Sequence, residues 1–319
     1  MIDVLTYSAL SILAVSFGVG IVVGLTGMGG GALMTPALIF LGINPTAAVA
    51  NDLVAASVNK SVGATVHARA GSPNWRLAGW LMLGSVPTAA AGAFIIESIG
   101  ADEDQTAFVK TAIGVALLLT AATYTLRSYL NVRATRLGRP PSTDDPHVRP
   151  LPTFCVGAIG GLLVGVTSVG SGSLIMVSLL LLYPTLTAVR LVGTDLVQAV
   201  PLVLSAAITH VIVTGVDFEI LIPLIVGGTP GTYLGARIAN RVPQGIVRRG
   251  IVVVLSLTGL SLLGVPPVAV GIIAAAMVIL GPIAWSLVRA RIGLPEGVDL
   301  FAEKRDIERA RRASEEERA

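Results

Sequence analysis

Residues 26–31 read Thr26-Gly27-Met28-Gly29-Gly30-Gly31, and residues 167–172 read Thr167-Ser168-Val169-Gly170-Ser171-Gly172. Both stretches are uncharged and occupy equivalent places in two apolar halves of the chain. Around these stretches, further residues match in the same order in both halves: Gly24 with Gly165, Leu33 with Leu174, Asp52 with Asp195, His67 with His210, Pro87 with Pro230 and Gly92 with Gly235. A duplicated apolar unit interrupted by glycine is typical of secondary transporters, whose substrate lies between repeats at broken helices.

The composition places the chain in a membrane. Hydrophobic residues make up 53% and charged residues 13% of the sequence, against about 25% charged in soluble domains. Nine apolar stretches approach the ~20 residues that span a bilayer, at about 4–25, 47–68, 77–98, 108–130, 151–169, 187–213, 219–238, 246–264 and 267–288. Two shorter ones, 31–42 and 173–183, directly follow the glycine stretches. We expect a bundle of helices, because barrel strands would alternate over about ten residues.

The charged loops predict how the chain is oriented. Cytoplasmic loops are enriched in arginine and lysine, which assigns the basic segments 68–76, 131–150 and 237–249 to the inside. The segments 97–107 and 214–219 carry acidic residues without basic ones and are predicted outside.

Equivalent loops of the two halves fall on opposite sides. The loop after His67 is predicted inside and its counterpart after His210 outside, while the loops after Gly92 and Gly235 show the reverse. Inversion needs an odd number of crossings per repeat, so each short segment counts as a crossing. The sequence therefore predicts two inverted repeats of five segments plus one final span, in a cell inner membrane, with the N-terminus outside and the C-terminus cytoplasmic.

This topology divides the chain into five parts. They are a first repeat (1–130), a proline-containing cytoplasmic linker (131–150), a second repeat (151–264), an extra span (265–290) and a charged cytoplasmic tail (291–319). The tail mixes both signs at helical spacing, which is typical of a solvated helix with intrahelical ion pairs; a regulatory or oligomer contact is the alternative.

The glycine stretches are the first candidate binding elements. Unwound backbone inside a membrane is tolerated where it is buried in protein or lines a cavity. The short helix that follows each stretch would aim its free N–H groups at the break, which makes an anion site. The alternative is that the glycines only allow close helix packing.

Polar residues within the predicted spans form the second group. Asp52 and Asp195, equivalent under the repeat, would carry a proton or orient the broken backbone. Lys60 and Arg190 would compensate an anionic substrate, and internal ion pairs that fix helix packing are the alternative. The substrate-binding candidates are Thr26, Gly29, Gly30, Gly31, Asn51, Lys60, Thr167, Ser168, Gly170, Ser171, Gly172, Arg190 and Thr194.

His67 and His210 lie near the ends of their predicted spans. Placement at the membrane interface explains these positions, and their repetition leaves a gating or proton-relay role open. Two such histidines are too few for a metal site, and we expect no cofactor. The expected partners are a small anion and the lipid bilayer, without nucleic acid; self-association stays open.

In order and at this spacing, the matching residues resemble the sulfite exporter TauE/SafE family of permeases over about residues 10–264. The resemblance rests on Gly29-Gly30-Gly31 with Pro36, His67 with Asn74-Trp75, Gly165 to Leu174, Val192 to Leu196, His210 with Gly215-Val216-Asp217, and Gly227 with Pro230-Gly231 and Gly235. It implies movement of a sulfur-containing anion such as sulfite or sulfoacetate by alternating access, with proton coupling left open. A passive anion channel is the alternative, and a membrane-embedded enzyme is disfavoured because no nucleophile–base pair or metal cluster is present.

Overall fold

The computed structural model describes residues 2–26, 30–136, 147–239, 242 and 244–291. All regular elements of these residues are helices, which confirms the predicted helical class. The eleven helices of the described residues are α1 (Ile2–Thr26), α2 (Gly31–Phe40), α3 (Pro45–Arg69), α4 (Trp75–Ser98), α5 (Asp102–Arg136), α6 (Pro150–Thr167), α7 (Leu174–Leu182), α8 (Ala188–Val213), α9 (Phe218–Ile238), α10 (Gln244–Leu262) and α11 (Pro267–Arg291). Gly29, most of the linker and the tail from residue 292 lie outside the described residues.

Six of the described helices are long and apolar enough to cross a membrane, namely α1, α4, α5, α6, α8 and α11. The helices α2 and α7 have 10 and 9 residues, which at 1.5 Å per residue gives about 15 Å and 14 Å. Each is therefore about half the thickness of a bilayer core.

Left-handed backbone ends the helix before the second short segment. The C-cap of α6 is Ser168, with φ of 59°, and Gly170 has φ of 112°. A serine at positive φ is uncommon, so the chain is held in this turn by contacts from neighbouring elements. The helix restarts at Leu174 after this irregular segment.

The two halves pack through reciprocal helix pairs. Helix α1 packs against α9 and α4 against α6, so the first helix of each half meets the fourth helix of the other. Helix α3 packs against α8, and α5 against α10, which pairs each with its own counterpart. The last helix, α11, packs against α10.

Glycines bring the backbones of these pairs into contact. A Cβ added at Gly24 of α1 would lie 2.7 Å from the nitrogen of Ala236, and one added at Gly165 of α6 would lie 2.9 Å from the carbonyl carbon of Ala89. Small residues permit this approach in membrane bundles. The glycine packing that the sequence left as an alternative is thus present beside the breaks.

A candidate binding site where the two breaks meet

The two glycine stretches touch each other. A Cβ added at Gly31, the first residue of α2, would overlap the carbonyl oxygen of Ser168 and lie 2.8 Å from Ser168 Oγ. The start of α2 therefore rests directly on the turn that ends α6, and residues from both halves of the chain share one location.

Asp52 of α3 connects these two elements. Its Oδ2 accepts hydrogen bonds from Thr35 Oγ1 at 2.7 Å and from Ser168 Oγ at 2.8 Å. The Asp52 side chain is 2% exposed, so these hydroxyl donors replace the water that the carboxylate would otherwise require. Asp52 thus ties α2 to the turn at Ser168 through two hydroxyl groups.

Lys60 places a buried ammonium group at the second break. It lies two turns beyond Asp52 on α3, is 9% exposed and donates from Nζ to Ser171 Oγ. Both Asp195 and Asp52 are within electrostatic range of this ammonium group. Burial of a cation within a membrane protein is costly and marks a functional site by default.

The starts of both short helices adjoin this location. Neither Gly30, the N-cap of α2, nor Ser173, the N-cap of α7, makes a side-chain capping hydrogen bond in the part of the chain that the structure describes. The first N–H groups of a helix lack partners within the helix and carry a partial positive charge. The Leu174 N–H of α7 already donates to the Gly170 carbonyl oxygen at 3.0 Å. The donors suited to a negative ligand are therefore Lys60 and the remaining N–H groups of the two helix starts.

Asn51 adds a buried acceptor next to Asp52. Its Nδ2 donates to the carbonyl oxygen of Ala47 at 2.9 Å. Its Oδ1 is buried without a hydrogen-bond partner among the described residues. A buried oxygen of this kind is normally satisfied by water or a ligand.

Asp195 has different surroundings from its repeat counterpart. Its Oδ1 accepts from Gln198 Nε2 at 3.2 Å, and Gln198 Oε1 accepts from Ser85 Oγ at 3.4 Å. Lys60 and Arg127 are both within electrostatic range of Asp195. The Asp195 carboxylate therefore interacts electrostatically with two cationic side chains.

The two repeated histidines also differ. His210 is fully buried, and its Nε2 bonds the carbonyl oxygen of Gly165 at 2.7 Å, so this nitrogen carries the proton. Its Nδ1 has no partner among the described residues. His67 is half-buried, and its Nδ1 pairs with Ser72 Oγ at 2.9 Å. His210 is therefore packed within the protein, whereas His67 is partly exposed.

Several sequence candidates lie elsewhere. Thr194 Oγ1 donates to the carbonyl oxygen of Arg190 at 2.7 Å and accepts from the backbone N–H of Asn74 at 2.9 Å. The second of these bonds joins α8 to the start of α4. Thr26 Oγ1 donates to the Val22 carbonyl at 2.8 Å, at the end of α1.

The remaining glycine-stretch candidates lie at the second break. Thr167 Oγ1 donates to the Leu163 carbonyl at 2.6 Å and is fully buried. Gly170 provides the left-handed turn, and Gly172 follows Ser171 as a half-buried residue.

Thr35 is a contact residue that the sequence candidates missed. It is fully buried on α2 and is the single polar side chain in the sequence of that helix. A polar residue within an otherwise apolar half-length helix was the available signal.

Among the described residues, no group of three or more histidine, cysteine, aspartate or glutamate side chains could hold a metal ion.

Comparisons with known proteins give a consistent answer. A family model described as "Sulfite exporter TauE/SafE" matches residues 12–262. The chain is 35% identical over 256 residues to the "Probable membrane transporter protein YjnA" of Bacillus subtilis (strain 168), covering 80% of this chain and 100% of that one. It is 25% identical over 258 residues to YdhB of the same organism, also called a probable membrane transporter protein, covering 79% and 99%. No solved structure matches the chain.

Proposed function

The chain belongs to the sulfite exporter TauE/SafE family and is a membrane transporter, and we propose that it is a secondary permease for a small sulfur-containing oxyanion or organosulfonate. The substrate would bind where the two breaks meet, and alternating access would expose it to each side in turn. The buried Lys60 ammonium group on Ser171, beside two helix starts without side-chain caps, is the observation that carries this proposal.

The proposed architecture is two inverted repeats of five segments, α1–α5 and α6–α10, followed by α11. Reciprocal packing supports the division into two repeats, because a two-fold relation that exchanges the halves turns the α1–α9 pair into the α6–α4 pair. The same relation places α3 against α8 and α5 against α10, as observed.

Contacts between loops support the proposed alternation of the helices across the membrane. Asn44, before α3, donates from Nδ2 to Thr106 Oγ1 of α5 at 3.4 Å, and both positions are outside in this topology. Tyr183, after α7, accepts at its hydroxyl from the Arg149 amide at 2.9 Å, and both are inside. The orientation itself follows from the basic loops.

The site fits a compact anion chemically. A sulfonate presents three oxygens that accept hydrogen bonds from an ammonium group, hydroxyls and helix N–H groups. Lys60 and Ser171 supply the first two kinds of donor, and the starts of α2 and α7 supply the third. That the anion contains sulfur is inferred from the family description, because these donors would bind any small oxyanion.

Counterflow in proteoliposomes tests the permease proposal. Vesicles are loaded with unlabelled sulfite or sulfoacetate and diluted into a trace of the labelled anion. A permease exchanges one molecule per cycle, so the label transiently accumulates above its equilibrium level. Equilibration of the label without an overshoot would support the passive-channel alternative, and exclusion of both anions would reject the proposed substrate class.

Replacing Asp195 with asparagine tests proton coupling. We expect the wild-type protein to accumulate sulfoacetate when a pH gradient is imposed, and Asp195→Asn to lose this accumulation while keeping counterflow. The asparagine amide does not titrate and so cannot carry the coupled proton. Its oxygen can still accept a hydrogen bond from Gln198 Nε2. The groups around Asp195 include Lys60, Arg127 and Tyr124.

Glu219→Gln is the matched control for this variant, because Glu219 lies exposed in the first turn of α9. It should behave like the wild-type protein in both assays. Unchanged accumulation in Asp195→Asn would exclude Asp195 as the proton carrier. Equal loss of accumulation and counterflow would instead assign Asp195 a structural role.

A further inference from the structure

A basic cavity lies among the end of α1, the first turns of α10 and the second half of α5. Its volume is about 40 Å³, and it is lined by Thr26, Tyr124, Arg127, Ser128 and Arg248. Because about 10–15 Å³ of such volume holds one water, this space is large enough for the head group of a small oxyanion. The lining comes from both halves of the chain, since Arg248 belongs to α10 and the other residues to α1 and α5.

The lining chemistry is that of an anion site. Two guanidinium groups, Arg127 and Arg248, lie within electrostatic range of each other, and three hydroxyl-bearing side chains complete the wall. Arginine stays charged in proteins, so two neighbouring guanidinium groups repel each other when no anion lies between them. Paired arginines bind planar or tetrahedral oxyanions through parallel N–H donors.

Electrostatic contacts link this cavity to the central site. Arg127 is within electrostatic range of Asp195, and Asp195 is within range of Lys60. Thr26 is the last residue of α1 and the first residue of the first glycine stretch. Arg127 and Lys60 thus share one acidic neighbour, Asp195, which couples the cavity electrostatically to the central site.

We propose that Arg127 and Arg248 form a second oxyanion site, through which the sulfur-containing anion passes between the cytoplasm and the central site. This inference deepens the proposed function and takes its side of the membrane from the topology given there. In that topology α1 and α5 end, and α10 begins, at the cytoplasmic side.

Chemical protection of the wild-type protein tests this site directly. A dicarbonyl reagent such as phenylglyoxal modifies arginine, and mass spectrometry locates the modified residues. We expect sulfoacetate to slow modification of Arg127 and Arg248 at least about fivefold, while chloride at equal ionic strength does not. Arg249 is the internal control, because it is the exposed neighbour of Arg248 on α10 and should react equally with and without sulfoacetate.

Three results would overturn the proposal. One is equal protection by chloride, and another is parallel protection of Arg249, since both indicate charge screening. The third concerns a lipid headgroup, which presents similar oxygens. If Arg127 and Arg248 are protected in phosphatidylglycerol vesicles before any sulfoacetate is added, but not in phosphatidylcholine vesicles, the cavity binds lipid.

Transport kinetics separate this site from the central one. Arg248→Gln should raise the KM for sulfoacetate presented from the cytoplasmic side several-fold with little change in kcat, and Arg249→Gln should leave both unchanged. Protection of Arg248 without any sulfoacetate transport would retain the site and reject the proposed function. Transport without protection, and with an unchanged KM in Arg248→Gln, would reject the site and retain the function.

Discussion

Replacing Lys60 with methionine is expected to lower sulfoacetate counterflow by about 100-fold. Methionine has a similar length and fills the same buried space, but it donates no hydrogen bond and carries no charge. A hydrogen bond to a charged group contributes about 1.5–3 kcal/mol, and each 1.4 kcal/mol is a factor of ten. The loss should therefore appear as weak substrate binding, measured as a raised KM or as loss of thermal stabilisation by sulfoacetate.

Two further variants make this result interpretable. Lys60→Arg keeps the charge and should retain part of the counterflow, whereas Lys110→Met removes a lysine on α5, next to Asp102 and Glu103, and should retain nearly all of it. If Lys60 only pairs with Asp195 and Asp52 to fix helix packing, Lys60→Met would lower the melting temperature and leave the KM of the folded fraction unchanged.

The helices follow from the sequence more closely than the contacts do. Apolar length predicts where each helix lies, and glycine predicts the interruptions. The short stretches 31–42 and 173–183 correspond to Gly31–Phe40 and Leu174–Leu182. These features are local, because a run of apolar residues and a run of glycines act through the backbone within a few residues.

The contacts at the candidate site depend on distant parts of the chain. Asp52 and Ser168 are 116 residues apart, and nothing in either local sequence identifies the other as a partner. The repeat also suggests similar roles for Asp52 and Asp195, yet their hydrogen-bond partners differ. The cause is that the neighbours are not duplicated: Gly27 stands where the second half has Ser168, so the second aspartate has no equivalent donor.

Gly31→Ala is expected to prevent the two breaks from meeting and to cause severe loss of folded protein. The added methyl group would overlap the Ser168 carbonyl oxygen and lie 2.7 Å from its carbonyl carbon. Both atoms belong to backbone that is held in a left-handed turn, so neither can rotate away as a side chain would. Overpacking of a core costs about 1–3 kcal/mol, and overlap with fixed backbone should reach the top of that range or exceed it.

Gly30→Ala provides a control one residue away. Gly30 has helical dihedral angles, φ −54° and ψ −30°, and an added Cβ meets no atom within 4 Å. Size-exclusion chromatography should give a single folded peak for Gly30→Ala and a reduced or aggregated one for Gly31→Ala. If the two glycines served only to let the helix break, both variants would be impaired to the same degree. A difference between these adjacent substitutions therefore reports contact between the breaks, on which the shared binding site depends.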